Sequence, residues 1–395
     1  MLTKLDPSNK GGDIAGAKPA GALACAIAAV SIVGIGLSLT ITLISVRLGE
    51  QGFSARAIGF NQAAAGVATL VVAGFVPRMA RLIGVRQLLF LSLALCVLCL
   101  VAMAATDRYW AWFSIRAAFG AALTTLFVLS EYWINAIAPP ERRGFVIGLY
   151  AASVAFGFAA GPFILALVGT ESSAGFIVAT ALFVAAALPI IVGSGSAPEI
   201  ETAPSIPVLA FLLAAPVATL AGLLHGAIET ASMGLLPIYA LRAGLTAETG
   251  ALLVTLFALG NVVFQLPIGY VSDLIDRRKL LILIAFFSIL GALALPFAQP
   301  GGVALFGALL LIWGGVVGSF YAVALGYLGS RYKGANLAGA NAAFVMLYSA
   351  GMLSGPPVMG LGMDLLGPNG FFFSTAFVLT LYLGVVAWRG SREVS

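Results

Sequence analysis

Charge is scarce in this 395-residue chain: Asp, Glu, Lys and Arg together make up 9% of it. Soluble domains carry about 25%, and so little polar surface cannot cover several water-exposed domains. Soluble enzymes, nucleic-acid binders and disordered proteins are excluded as classes. Histidine occurs once and cysteine three times. That supply supports neither a disulfide framework nor a metal cluster. Cys96 and Cys99, inside one apolar run, are expected as small core residues. No Gly-x-x-x-x-Gly-Lys-Ser/Thr stretch is present, which excludes a P-loop nucleotide site. A single histidine with no nucleophile or further ligand around it predicts no catalytic centre, no resident metal and no cofactor.

What the chain has is apolar length. Hydrophobic residues make up 61% of it and glycine contributes 47 positions. A bilayer core needs roughly 20 apolar residues per helix. Breaks at charges and Gly/Pro clusters predict twelve spans, at 21–46, 56–76, 87–105, 111–135, 144–168, 174–192, 207–240, 248–271, 280–299, 301–328, 336–360 and 370–388. The long seventh span carries Pro216 and Pro237 and is expected to kink. Residues 1–20 are expected as a disordered tail, 193–206 as a linker and 389–395 as a second tail.

Twelve spans place both termini on one side. That side then holds Lys4, Lys10, Lys18, Arg78, Arg81, Arg86, Arg142, Arg143, Arg277, Arg278, Lys279, Arg331, Lys333, Arg389 and Arg392. The other holds Arg47, Arg56, Arg108 and Arg242, and Arg116 falls inside a span. The positive-inside bias predicts cytoplasmic termini and accounts for the net charge of +5 without nucleic acid.

The two halves repeat. Gly157-x-x-x-Gly161-Pro162 in the fifth span matches Gly351-x-x-x-Gly355-Pro356 in the eleventh, and Gly52-Phe53-Ser54 matches Gly244-Leu245-Thr246. Both motif-bearing spans follow short basic loops. The expectation is an all-α membrane protein with two pseudo-symmetric six-helix bundles, 21–192 and 207–388. A duplicated chain of this kind places a solute site between its halves, near the membrane midplane.

The eighth span closes on Gly269-Tyr270-Val271-Ser272-Asp273-Leu274-Ile275-Asp276-Arg277-Arg278-Lys279. This stretch resembles the cytoplasmic-loop signature of the major facilitator superfamily: a glycine, a small residue, an aspartate and a basic pair. Phe264-Gln265-Leu266-Pro267-Ile268 and Glu131-Tyr132-Trp133-Ile134-Asn135 are similar to a poorly characterised bacterial branch of it. The resemblance covers about 21–388 and implies a secondary transporter in the bacterial cytoplasmic membrane. There are departures: Arg78 replaces the signature aspartate after the second span, Asp276 replaces a glycine, and Leu165 replaces a glycine of the fifth-span motif.

Ionisable groups inside spans are costly and tend to face a cavity. Glu229 lies near the middle of the seventh span, with His225 one turn away on the same face. They are the candidate proton-coupling or substrate pair, and Arg116 is a candidate cavity cation. Ser38, Thr42, Tyr150, Asn261, Gln265, Trp313 and Tyr321 are candidate cavity residues. The resemblance favours Trp313 and Tyr321, because the tenth span lines the cavity in that superfamily. Gly269, Asp273, Arg277, Arg278, Arg142 and Arg143 form a candidate cytoplasmic gate, with Gly269 allowing close helix contact. Glu131, nearer the surface, is expected in a structural contact. The expected function is proton-coupled transport of a small molecule by a monomer in lipid, with efflux preferred. Uptake symport, uniport and a non-transporting scaffold stay open on the same fold.

Overall fold

A computed structural model describes residues 19–139, 142–170, 173–193, 216–332 and 334–393. Most of the expected linker and nearly all of the N-terminal tail lie outside these residues. Among the described residues there are thirteen α-helices and no strand. They are α1 (Pro19–Glu50), α2 (Ala55–Ala73), α3 (Val76–Ile83), α4 (Val85–Ala104), α5 (Tyr109–Ile137), α6 (Arg143–Val168) and α7 (Ala174–Gly193). The second half holds α8 (Pro216–Arg242), α9 (Ala247–Leu274), α10 (Arg277–Ala298), α11 (Val303–Arg331), α12 (Gly334–Leu366) and α13 (Gly370–Glu393). The expected second span is a bent pair: α3 turns 62° from α2.

Ten of these helices are long and apolar enough to cross a membrane, and the bent pair makes eleven. The seventh expected span, α8, is not among them. Its polar residues lower its hydropathy, yet every residue from 224 to 240 is buried. A helix enclosed by protein need not present an apolar face to lipid. Pro216 stands at its start, so the described part of the long seventh span fits a single 27-residue helix.

The repeat is visible atom by atom. Gly52 and Gly244 both adopt positive φ, +81° and +77°, where a side chain is strained. Two residues on, Ser54 accepts from Ala57 N and Thr246 from Thr249 N, capping α2 and α9 alike. A Cβ on Gly157 would meet the backbone of Ser31 and Ile35 in α1; one on Gly351 would meet Leu223 and Ala227 in α8. Those partners are again 192 residues apart. Packing follows the same order in each half. α1 lies on α6 and α7, α2 on α5, and α4 on α5 and α7; α8 lies on α12 and α13, α9 on α11, and α10 on α11 and α13.

The halves meet chiefly through α2 with α12, α6 with α9 and α1 with α8. The α2–α12 seam is backbone against backbone: Gly59 faces Pro356, Gly66 faces Leu353 and Gly360 faces Ala55. A latch closes the same end. The Asp364 carboxylate accepts from Ala55 N at 3.0 Å and Arg56 N at 2.9 Å, and from Arg242 Nη2 at 2.7 Å. Arg242 Nη1 also donates to the Met363 carbonyl at 3.1 Å.

Candidate functional site

The enclosed helix α8 carries a polar group at its centre. Glu229 Oε2 accepts a 2.7 Å hydrogen bond from Tyr348 Oη, and His225 Nε2 stands 3.5 Å from the same oxygen. Both α8 side chains are deeply buried, 5% exposed for His225 and 12% for Glu229. The imidazole stacks on Tyr348 with ring centres 5.9 Å apart, and its centre lies 5.5 Å from that of Tyr321. Helical spacing sets His225 one turn before Glu229. The glycine motif delivers Tyr348: Phe344, Tyr348, Gly351 and Gly355 share one face of α12, and the two glycines let that face close on α8.

Glu229 also lines a cavity between the halves. Ala155 and Phe158 of α6 form one wall; Glu229, Met233, Phe257, Ala258 and Asn261 form the other. Its volume is about 20 Å³, room for a single water. Glu229 Oε1 and the Asn261 side chain have no hydrogen-bond partner among the described residues. Phe257 and Phe158 supply aromatic surface beside them.

A second carboxylate–tyrosine pair belongs to the first half. Tyr150 Oη donates to Glu131 Oε1 at 2.9 Å, and Glu131 is exposed. Tyr321, on α11, lies within Coulombic reach of both Glu131 and Glu229. Two acidic groups, one from each half and each bonded by a tyrosine hydroxyl, thus act on one tyrosine of the second half.

Other expected residues lie elsewhere. Arg116 is 4% exposed on α5, with no hydrogen bond or ion pair among the described residues. The structure does not bring it to Glu229. Parallel contacts of α2 and α5, Gly120 on Ala65 and Thr124 on Thr69, put its Cα level with Asn61, whose amide is buried without a partner. Trp313 is a core residue: its Nε1 donates to the Ser288 carbonyl at 2.9 Å, and its ring packs on Phe257 and Phe372. Ser38 bonds the Gly157 carbonyl across α1 and α6, while Thr42 bonds back to Ser38 within α1. Gln265 is half-buried on α9, one turn beyond Asn261. Cys96 and Cys99 are buried in the core.

The sequence reading missed Tyr348, Phe158, Met233 and Phe257. Tyr348 was within reach, three residues before Gly351 on the motif's own face. The three cavity residues are apolar, and nothing in an apolar run distinguishes a cavity wall from a lipid or core face.

Comparison with known proteins fits this two-half architecture. The sequence profile of the Major Facilitator Superfamily matches residues 26–246 and again 218–394. The chain belongs to that superfamily. It is 27% identical over 369 residues to the uncharacterized MFS-type transporter YfkF of Bacillus subtilis, covering 90% of this chain and 93% of that protein. It is 24% identical over 366 residues to the uncharacterized MFS-type transporter YE1530 of Yersinia enterocolitica, covering 91% and 93%. Its fold is similar to the crystal structure of a single-residue mutant of the nucleoside transporter NupG, with TM-score 0.74 and 15% identity over 94% of this chain and 98% of that one. A bacterial homolog of the human lysosomal transporter Spinster gives TM-score 0.73 at 12% identity, over 94% and 96%.

For a superfamily member, the signature's departures acquire physical sense. Asp276, where glycine is usual, caps α10 by accepting from Lys279 N at 2.9 Å. Asp273, its side chain 69% exposed, bonds Arg277 of the next helix at 2.6 Å. It does not reach the other half. Arg278 donates to the Val386 carbonyl, Arg142 is exposed, and the Arg143 side chain lies outside the described residues. Gly269 has open space where a Cβ would stand, so close helix contact is not its role here.

Proposed function

We propose that this transporter lies in the bacterial cytoplasmic membrane with both termini inside, and exports a small solute in exchange for protons. It acts as a monomer, and Glu229 is the coupling carboxylate. In this orientation the latched end is the outer one, and the conformation described here faces inward. The observation that carries the reading is the bonding of Glu229. Tyr348 and His225 both engage Oε2, while Oε1 has no protein partner and the residue lines a cavity between the halves.

A carboxylate this deep is costly and is retained for function. One free oxygen admits one occupant, a proton or a group on the solute, so loading one displaces the other. That is the logic of exchange. Titratable neighbours face Glu229 from several helices: His225 on α8, Tyr348 on α12 and Tyr321 on α11, with Glu131 and Tyr150 beyond Tyr321. They offer a route by which a proton leaves toward the open end.

The test uses everted vesicles holding a respiration-driven pH gradient, with a compound library added and acridine fluorescence recorded. Compounds that collapse the gradient in the wild type are expected to do nothing in Glu229→Gln. Gradient collapse of wild-type size in Glu229→Gln would place coupling elsewhere.

A further inference from the structure

We infer that the solute is a protonated amine with an apolar, aromatic-sized body, its ammonium group held between Glu229 Oε1 and the Asn261 side chain. The inference rests on the Glu229 site proposed above and names its substrate class.

Three observations carry it. The first is charge. The cavity wall contains one carboxylate and no cation. The neighbouring polar group, Glu131 with Tyr150 and Tyr321, adds a second carboxylate. Arg116, the buried cation an anionic solute would need, is on α5 and is not among the residues lining the cavity. The second is hydrogen bonding. Oε1 of Glu229 accepts only, and Asn261, lining the same cavity, carries a side-chain amide with no partner among the described residues. Gly318 lies against the amide oxygen and leaves it no side-chain donor. An unfilled carboxylate oxygen and an unpartnered amide on residues of one cavity wall suit a solute group with more than one N–H. The third is the rest of the wall. Ala155, Phe158, Met233, Phe257 and Ala258 offer only apolar and aromatic surface, which suits a hydrocarbon body and adds cation–π attraction.

At about 20 Å³ the cavity is too small for such a molecule. Its opposite walls belong to α6 and α9, one from each half, so it widens when the halves part. The solute therefore enters as the seam opens, and closure presses Phe158 and Phe257 onto its body.

The test is binding to the purified full-length chain in nanodiscs at pH 7.5, read by thermal unfolding. Probes are phenethylamine, benzylamine and tryptamine, with phenethyl alcohol as neutral isostere and phenylacetate as anion. At least one amine is expected to raise the midpoint while the alcohol and the acid do not. Glu229→Gln is expected to weaken that amine at least about tenfold and Asn261→Ala several-fold. Glu229→Asp, which keeps the charge, retains part of the binding and guards against a folding defect in the amide variant. N-trimethylation of the amine, which removes its donors, is expected to weaken it as much as Asn261→Ala does. The inference is overturned if all three amines fail to bind, if the alcohol or acid binds as well, or if Glu229→Gln leaves amine affinity unchanged. Glu229-dependent proton flux evoked only by neutral or anionic compounds would sink this inference and leave the coupling reading intact. Amine binding at Glu229 without proton flux would do the reverse.

Discussion

Arg242 and Asp364 tie the ends of α8 and α12 together, Nη2 to Oδ1 at 2.7 Å, and the same carboxylate receives the first two backbone N–H groups of α2. Those N–H groups have no partner within their own helix, and the helix N-terminus favours the negative charge. One side chain thereby joins both halves. By the offset of the repeat, the counterparts of Arg242 and Asp364 are Glu50 and Thr170, so the duplication does not repeat the latch.

Asp364→Asn keeps the shape and removes the charge. Hydrogen bonds to charged groups contribute about 2 kcal/mol, which is about thirtyfold in the ratio of closed to open. A cysteine placed at Ser45, buried on α1, is expected to react faster with an impermeant thiol reagent from outside in this variant. Unchanged labelling would mean that the latch does not hold the outer end.

Gly351→Ala is expected to lower the unfolding temperature, because the added methyl meets the Leu223 carbonyl and Ala227 N of α8. Overpacking of this kind costs about 1–3 kcal/mol. Its repeat, Gly157→Ala, has slightly more room against Ser31 and Ile35 and should cost less. Gly148→Ala, with open space around it, is the control and should be neutral. Equal midpoints for all three would contradict the packing described.

Trp313→Phe removes the bond to the Ser288 carbonyl while keeping most of the ring packing. A loss of about 1 kcal/mol in stability is expected, with KM for the transported solute unchanged. A raised KM at unchanged stability would return Trp313 to the cavity.

Asp276→Ala removes the cap on α10 and should cost about 1 kcal/mol, whereas Asp276→Gly should cost only a few tenths. Hydrogen exchange at residues 277–280 reads the difference directly. Equal protection in both variants and the wild type would show that the Lys279 bond contributes nothing.

The fold was largely legible because its rules are coarse. Span length and the paired Gly-x-x-x-Gly-Pro motifs each report a backbone property, and both survive in the helices α6 and α12. The glycine–cap pairs at Gly52-Ser54 and Gly244-Thr246 were legible for the same reason. The site was partly so. His225 and Glu229 are one helical turn apart, and local spacing brings them together. Their third partner comes from residue 348, and only the face of α12 could have indicated it. Trp313 and Tyr321 look alike in sequence, two aromatics eight residues apart on one helix. Rotation about the helix axis turns one toward Ser288 and the other toward His225. Asp364 drew no notice in the sequence, since two of its three partners are main-chain groups about 309 residues away.

The seam between α2 and α12 has a mechanical consequence. Gly59, Gly66 and Gly360 present bare backbone to Pro356, Leu353 and Ala55. A surface without side chains has no rotamers to exchange when one helix rolls over the other. It behaves as a bearing rather than a set of cogs, and rolling along it meets little internal friction. The polar resistance to parting the halves at this end then sits in the two bonds from Ala55 N and Arg56 N to Asp364, which Arg242 holds in place, and deeper in the bond from Gln62 Nε2 to the Thr230 carbonyl. Opening at the latched end is accordingly governed by charge and sensitive to the salt bathing that end, while the glycines set only the path.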